Sequence, residues 1–253
     1  MTPLEMLGVF AAGVGAGAMN AVVGSGTLVT FPVLLATGLS PVTATVSNAL
    51  GLIPGSVSGA VGYRRELAGQ GRRVRKLGIG AALGGLCGAT LLLALPAEAF
   101  ETIVPTLVGL ALVLVAFQPL IGRRIRNRRA RGDSPHRDGG WPLSAGLTLA
   151  SVYGGYFSAA QGIIYMSLMG LLIDEPLQRL NAVKNVLAAI VNTVAAAFFL
   201  FVADFDWTAV ALIAAGSALG GQLGARTGRR FSPAVLRGLI VTIGTVALVQ
   251  LLR

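Results

Sequence analysis

From Met6 to Tyr63 the chain runs for 58 residues without one charged side chain. A membrane-spanning helix needs about 20 apolar residues, so this run has the length of nearly three spans, yet Gly, Pro, Ser and Asn punctuate it throughout. It cannot be a soluble surface, and it cannot be a row of uninterrupted helices. Composition removes the remaining doubt about the solvent: 54% of the 253 residues are hydrophobic and 12% charged, where a soluble domain carries about 25% charged residues. Mean hydropathy is +0.76. The 35 glycines show no collagen period and suit helices that pack closely in lipid. The chain reads as an all-α integral membrane protein.

The formal net charge of +10 would suggest nucleic acid in a soluble protein. Here 17 of the 20 Lys and Arg fall into three intervals, Arg64 to Lys76, Arg123 to Arg137 and Arg226 to Arg237, each flanked by uncharged runs. They read as cytoplasmic loops under the positive-inside rule, with anionic lipid headgroups as partners and no nucleic acid. The single cysteine, Cys87, lies in an apolar stretch and supports neither a disulfide framework nor a thiol metal site. The start, MTPLEM, lacks a basic region, and no cleaved signal peptide is expected.

With the basic loops inside, Leu77 to Leu95 and Thr102 to Ile121 go out and back and place Glu98 and Glu101 outside. The spans on either side of Asp204 and Asp206 do the same. Met6 to Ser40 and Pro142 to Ile173 are too long for one crossing and too short for two. Each is expected to break and fold back, at Gly24-Ser25-Gly26 and at Ala160-Gln161-Gly162, with second arms of about 11 residues beginning at Thr27 and Ile163. Each half is then a broken-helix hairpin plus three crossings. An odd number of crossings turns the second half upside down: residues 1–121 and 142–253 become two inverted-topology repeats joined by a basic cytoplasmic linker, 122–141. A shift of 137 aligns Asn48, Leu50, Ile53, Val57 and Ala60 with Asn185, Leu187, Ile190, Val194 and Ala197, and a shift of 136 aligns Gly26 with Gly162.

A helix break at membrane depth marks a cavity, and the arm that follows it points the positive end of its dipole into that cavity. The candidate substrate-binding residues are therefore Gly24, Ser25, Gly26 and Gly162 at the breaks, with Asn20, Thr27, Ser47 and Asn48 in the first half and Tyr156, Gln161, Asn181, Lys184 and Asn185 in the second. Tyr153 and Asn192 belong to the same polar set, and the asparagines could equally serve as interhelical hydrogen-bonding groups. Lys184 stands one turn beyond Arg179, so it either enters the site or snorkels to the inner surface. A cation near two half-helix N-termini favours an anionic ligand, and no intramembrane carboxylate offers the opposite polarity. No phosphate-binding loop, HExxH or Cys/His cluster is present, so no cofactor, metal or enzymatic activity is expected.

The stretches GVGAGAMNAVVGSGTLVTFPVLLATGLSPVTATVSNALGLIPGSVSGAVGYRREL and YGGYFSAAQGIIYMSLMGLLIDEPLQRLNAVKNVLAAIVNTVAA resemble the two signature regions of the sulfite exporter TauE/SafE family of bacterial permeases. The resemblance covers essentially the whole chain. It implies a multi-pass protein of the cytoplasmic membrane that transports sulfite, a sulfonate or a related organic anion. The first glycine-rich turn maps onto Gly24, Ser25 and Gly26 with Ser47 and Asn48, and the second onto Gln161 and Gly162 with Asn181, Lys184 and Asn185. Ser25 and the pair Ala160-Gln161 depart from the family's glycine-dense turns. An anion channel is the alternative reading, and an integral-membrane enzyme a third.

Overall fold

The computed structural model describes residues 1–130 and 139–227, and beyond them 238, 241, 242, 244–246, 248 and 249. Ten helices precede residue 228: α1 (Pro3–Val22), α2 (Thr27–Ala36), α3 (Pro41–Gly51), α4 (Ile53–Gly62), α5 (Gly71–Ala94), α6 (Ala97–Ala130), α7 (Gly140–Tyr156), α8 (Gln161–Leu172), α9 (Leu177–Val202) and α10 (Trp207–Thr227). No strand occurs among the described residues. Helices satisfy their own backbone groups, which lipid cannot do. Five of them (α1, α5, Glu98–Ile125 of α6, α9 and Trp207–Arg226 of α10) are long and apolar enough to cross a membrane. Local chemistry fixes the starts. Thr2 and Glu5 form a capping box on α1, Ser40 caps α3 with Pro41 behind it, and the Asp206 carboxylate accepts from the Ala209 N–H on α10. The basic segment after residue 121 is helical through Ala130, and Arg131 to Asp138 lie outside the described residues.

Both expected hairpins are present. α2 has 10 residues and α8 has 12, lengths of roughly 15 and 18 Å at 1.5 Å per residue, against a hydrocarbon core of about 30 Å. Neither returning arm can cross alone. The first break falls where the GSG signal puts it, between Val22 and Thr27. The second differs from expectation: it occupies residues 157–160, and Gln161 and Gly162 already form the first turn of α8, which starts two residues before Ile163. Ser158 and Ala160, with φ of 69° and 58°, make the reversal. Such backbone costs an L-residue about 1–2 kcal/mol and gives no glycine signature to read.

A further interruption, at Leu52, separates α3 from α4. Pro54 has no N–H to donate, and Ser217 of α10 enters the gap. Its hydroxyl accepts from the Gly55 N–H at 3.1 Å and donates to the Gly51 carbonyl at 2.8 Å, bridging two groups that a regular helix would pair directly. Ser217→Ala is expected to leave both buried groups unmet and to lower stability by about 1–2 kcal/mol, measured as thermal unfolding in detergent.

Close seams of small residues hold the helices together. α1 packs on α10, where a Cβ at Gly220 would overlap the Val14 carbonyl, and α5 packs on α7, where a Cβ at Gly88 would overlap that of Val152. The main buried cluster joins both hairpins through Phe31 and Phe157, whose rings meet edge to face at 5.1 Å.

Polar contacts also sort the loops by side. Glu175, between α8 and α9, pairs with Arg73 at 3.1 Å and with Arg179 at 2.9 Å, and Gln70 donates to the Arg179 carbonyl. The first basic loop and the start of α9 thus share one surface. At the other end the Ser47 hydroxyl accepts from the Asp206 N–H at 3.0 Å, which puts the middle of α3 beside the acidic turn. In a Cys87→Ala background an impermeant maleimide added to intact cells is expected to label Asp204→Cys and not Arg72→Cys. The reverse pattern would invert the topology. Burial raises the Glu175 carboxyl, but hydrogen bonds and charge from Arg73 and Arg179 outweigh it and hold the group below its ordinary value. A lowered folded value means that the clasp stabilises the protein above the unfolded carboxyl's titration and loses that contribution as pH falls through the folded one. Glu175→Gln should flatten the acid side of a melting-temperature profile.

Candidate functional site

The C-terminus of α1 leaves carbonyls that its own helix cannot satisfy. Val23 and Gly24 turn their N–H groups back onto the Met19 carbonyl at 2.7 and 2.9 Å. α9 supplies the other donors. Lys184 Nζ donates to the Asn20 carbonyl at 2.6 Å, and the amides of Asn181 and Asn185 donate to the Ala21 carbonyl at 2.8 and 3.3 Å. The spacing noted in the sequence, which puts these three on one face of α9, is what lets them grip one helix end. A cation at a helix C-terminus also meets the negative end of the dipole. Lys184 is 1% exposed and does not snorkel. Among the described residues no carboxylate forms an ion pair with it, and the Asn20 carbonyl is its one hydrogen-bond partner.

The first break touches the head of α8, just past the second break. The Gly162 N–H donates to the Gly24 carbonyl at 3.0 Å, and a Cβ on either glycine would overlap the other's Cα. Gly24 additionally has φ of +88°, so both absent side chains are required, one for conformation and both for contact. The Gly26 N–H at the head of α2 is taken by the Asn20 side chain at 2.7 Å. Each arm therefore has one of its leading N–H groups engaged, by Asn20 in one case and by the opposite break in the other.

Beside this junction lies a cavity of about 10 Å³, room for roughly one water. Of the residues singled out in the sequence, Asn20, Gly24, Gln161, Gly162, Lys184 and Asn185 line it, as does Asn192. Ser56 and Ser158 join them without having been expected. Ser56 is 2% exposed and its hydroxyl has no hydrogen-bond partner. Nothing in the GSVSG stretch around it signals a site, because a lone serine in an apolar helix ordinarily bonds back to its own turn. Gln161 is held by a relay in which its amide donates to the Tyr165 hydroxyl at 2.7 Å, itself 2.6 Å from Ser151 Oγ.

The other expected residues are placed elsewhere. Thr27 and Asn48 form a buried network with Thr30, linking α2 to α3. Ser47 serves the Asp206 turn. Tyr156 packs on Phe100 at 5.4 Å. Ser25 and Gly26 are enclosed at the first break, the Ser25 hydroxyl without a partner, and Asn181 reaches the site only through the α1 carbonyls. The lining joins a buried ammonium to amides and hydroxyls with no carboxylate, which suits an anion. No group of three or more His, Cys, Asp or Glu that could hold a metal occurs among the described residues.

Comparison with known proteins identifies this arrangement's lineage. The family described as "Sulfite exporter TauE/SafE" matches residues 9–251. The chain belongs to the sulfite exporter TauE/SafE family. Relatives of this TauE/SafE chain include the "Probable membrane transporter protein YfcA" of Escherichia coli K12, 27% identical over 100% of this chain and 91% of the relative. A "Probable membrane transporter protein" of Haemophilus influenzae is 26% identical over 92% and 88%. "Probable membrane transporter protein ORF9" of a Sinorhizobium is 24% identical over 94% and 88%. No solved structure matches this TauE/SafE chain.

Proposed function

We propose that the protein is a secondary transporter of the cytoplasmic membrane that carries a small anion, sulfite, a sulfonate or a related organic anion, by alternating access. The observation that carries this reading is the junction of the two helix breaks, Gly162 N–H on the Gly24 carbonyl, with the buried Lys184 ammonium in the same lining. Half-helix N-termini meeting at a break are the arrangement that broken-helix carriers use for anionic groups, and Lys184 adds a cation with no carboxylate partner among the described residues. The reciprocal packing of α1 on α10 and α5 on α7 supports two inverted repeats, 1–121 and 142–253 around the linker 122–141, since each half's hairpin then leans on the matching helix of the other. The relatives' names support transport as the activity.

A cavity of about 10 Å³ is too small for an oxyanion, so binding requires the breaks to move apart, and rocking of one half against the other is the motion that does this. The test is uptake of radiolabelled sulfite, taurine and sulfoacetate into proteoliposomes. Saturable uptake, accelerated by unlabelled anion on the opposite side, is the expected result. A non-saturating anion conductance in planar bilayers would overturn the carrier in favour of a channel.

A further inference from the structure

α4 and α9, which carry Ser56 and Asn185 into the central cavity, leave a second space on their lipid-facing side. This groove of about 490 Å³ falls within the range of ligand sites, roughly 300–1,000 Å³. Its walls are apolar, with Val57 and Val61 from α4 and Val186, Ala189 and Ile190 from α9. Val57 and Val61 are half exposed. Its one charged lining residue is Arg64, at the end where α4 runs into the basic loop. The Arg64 guanidinium is exposed, and its one hydrogen bond among the described residues is to the Val61 carbonyl, at a long 3.4 Å.

From Arg64 the groove reaches seven residues back along α4 to Val57, a depth of roughly 10 Å at 1.5 Å per residue. One leaflet of a hydrocarbon core about 30 Å thick is about 15 Å deep, so the groove extends through roughly two-thirds of it. An apolar trough that runs into the hydrocarbon at one end and has a single arginine in its lining at the other matches one molecule in outline: a lipid of the leaflet on the basic-loop side, chain inward and phosphate at the surface. We infer that the α4–α9 groove is a binding site for an anionic phospholipid, with one acyl chain along Val57, Val61 and Ile190 and the phosphate on Arg64. The lipid lies across the seam whose other face lines the central cavity, so it fills the space into which α4 and α9 could otherwise shift.

The test titrates detergent-purified protein with phosphatidylglycerol and with phosphatidylcholine of identical chains, following bound lipid by native mass spectrometry. Wild-type protein should retain phosphatidylglycerol in preference to phosphatidylcholine. A basic residue near a membrane surface adds about 1 kcal/mol toward anionic lipid, so Arg64→Gln should weaken phosphatidylglycerol roughly fivefold and leave phosphatidylcholine unchanged. Ala189→Phe, which fills the trough, should weaken both lipids. Arg72→Gln, in the same basic loop but not lining the groove, should change neither. The inference is overturned if Arg72→Gln weakens phosphatidylglycerol as much as Arg64→Gln does, which would mean diffuse surface attraction only. It is equally overturned if Arg64→Gln and Ala189→Phe, both eluting as monodisperse protein, bind as the wild type does.

Discussion

Gly162→Leu is expected to abolish anion uptake, and Gly162→Ala to reduce it at least tenfold, while both proteins still insert. The Gly162 Cα faces the Gly24 backbone with no room for a Cβ. The obstructing atoms are main chain, which cannot rotate away as a flexible side chain would. The breaks must separate, losing the Gly162 N–H to Gly24 carbonyl bond and disturbing the lining shared by Lys184, Gln161 and Asn185. Overpacking of this kind costs about 1–3 kcal/mol. A drop in melting temperature should therefore accompany the loss of uptake. Gly8, on α1 with nothing within 4 Å of its missing Cβ, supplies the comparison: Gly8→Ala should be silent in transport and gain a few tenths to about 1 kcal/mol from helix propensity. Wild-type uptake by Gly162→Leu would mean that the junction of the breaks is not part of the transport path.

That glycine pair shows what a single sequence can and cannot convey. Charge spacing marked out the long apolar helices, because ionised side chains are excluded from lipid whatever they pack against. The first break was legible because Gly24 and Gly26 stand in a run with no other reason to be irregular. The second was placed late, since Ser158 and Ala160 adopt left-handed backbone without being glycine. The interruption at Leu52 is not legible in the sequence for a related reason. Its decisive element is Ser217, whose side chain arrives from α10 and replaces the missing helical bond. Ser47, Asn48 and Thr27 looked like site residues because polar groups in lipid need partners. They have partners, in Asp206 and Thr30 and in one another, at some distance from the cavity lining. Periodicity identifies which side chains must be satisfied. It does not identify the group, often more than a hundred residues away, that satisfies them.

Lys184 presents the same problem in its sharpest form, because its visible partner is a helix end and its inferred partner is a ligand. If the ammonium contacts the anion in the cavity, Lys184→Gln removes a charge-assisted hydrogen bond worth roughly 1.5–3 kcal/mol. At 1.4 kcal/mol per decade the affinity falls about 10- to 150-fold. The same substitution also replaces the ammonium donor to the Asn20 carbonyl with a neutral amide on a shorter side chain, and a buried carbonyl left unmet costs about 1–3 kcal/mol of stability. A loss of function alone would therefore not separate the two roles. Asn181→Ala does separate them: it removes a neutral donor from the adjacent Ala21 carbonyl, one turn away on α9, and takes no charge from the cavity. Both variants should melt earlier than wild type, with Lys184→Gln the more affected because Ala21 keeps the Asn185 amide. Only Lys184→Gln should lose affinity when purified proteins are titrated with the best-transported anion. If the two variants bind that anion equally, within about twofold of wild type, Lys184 is a cap for α1 and the anion's charge is met by another group.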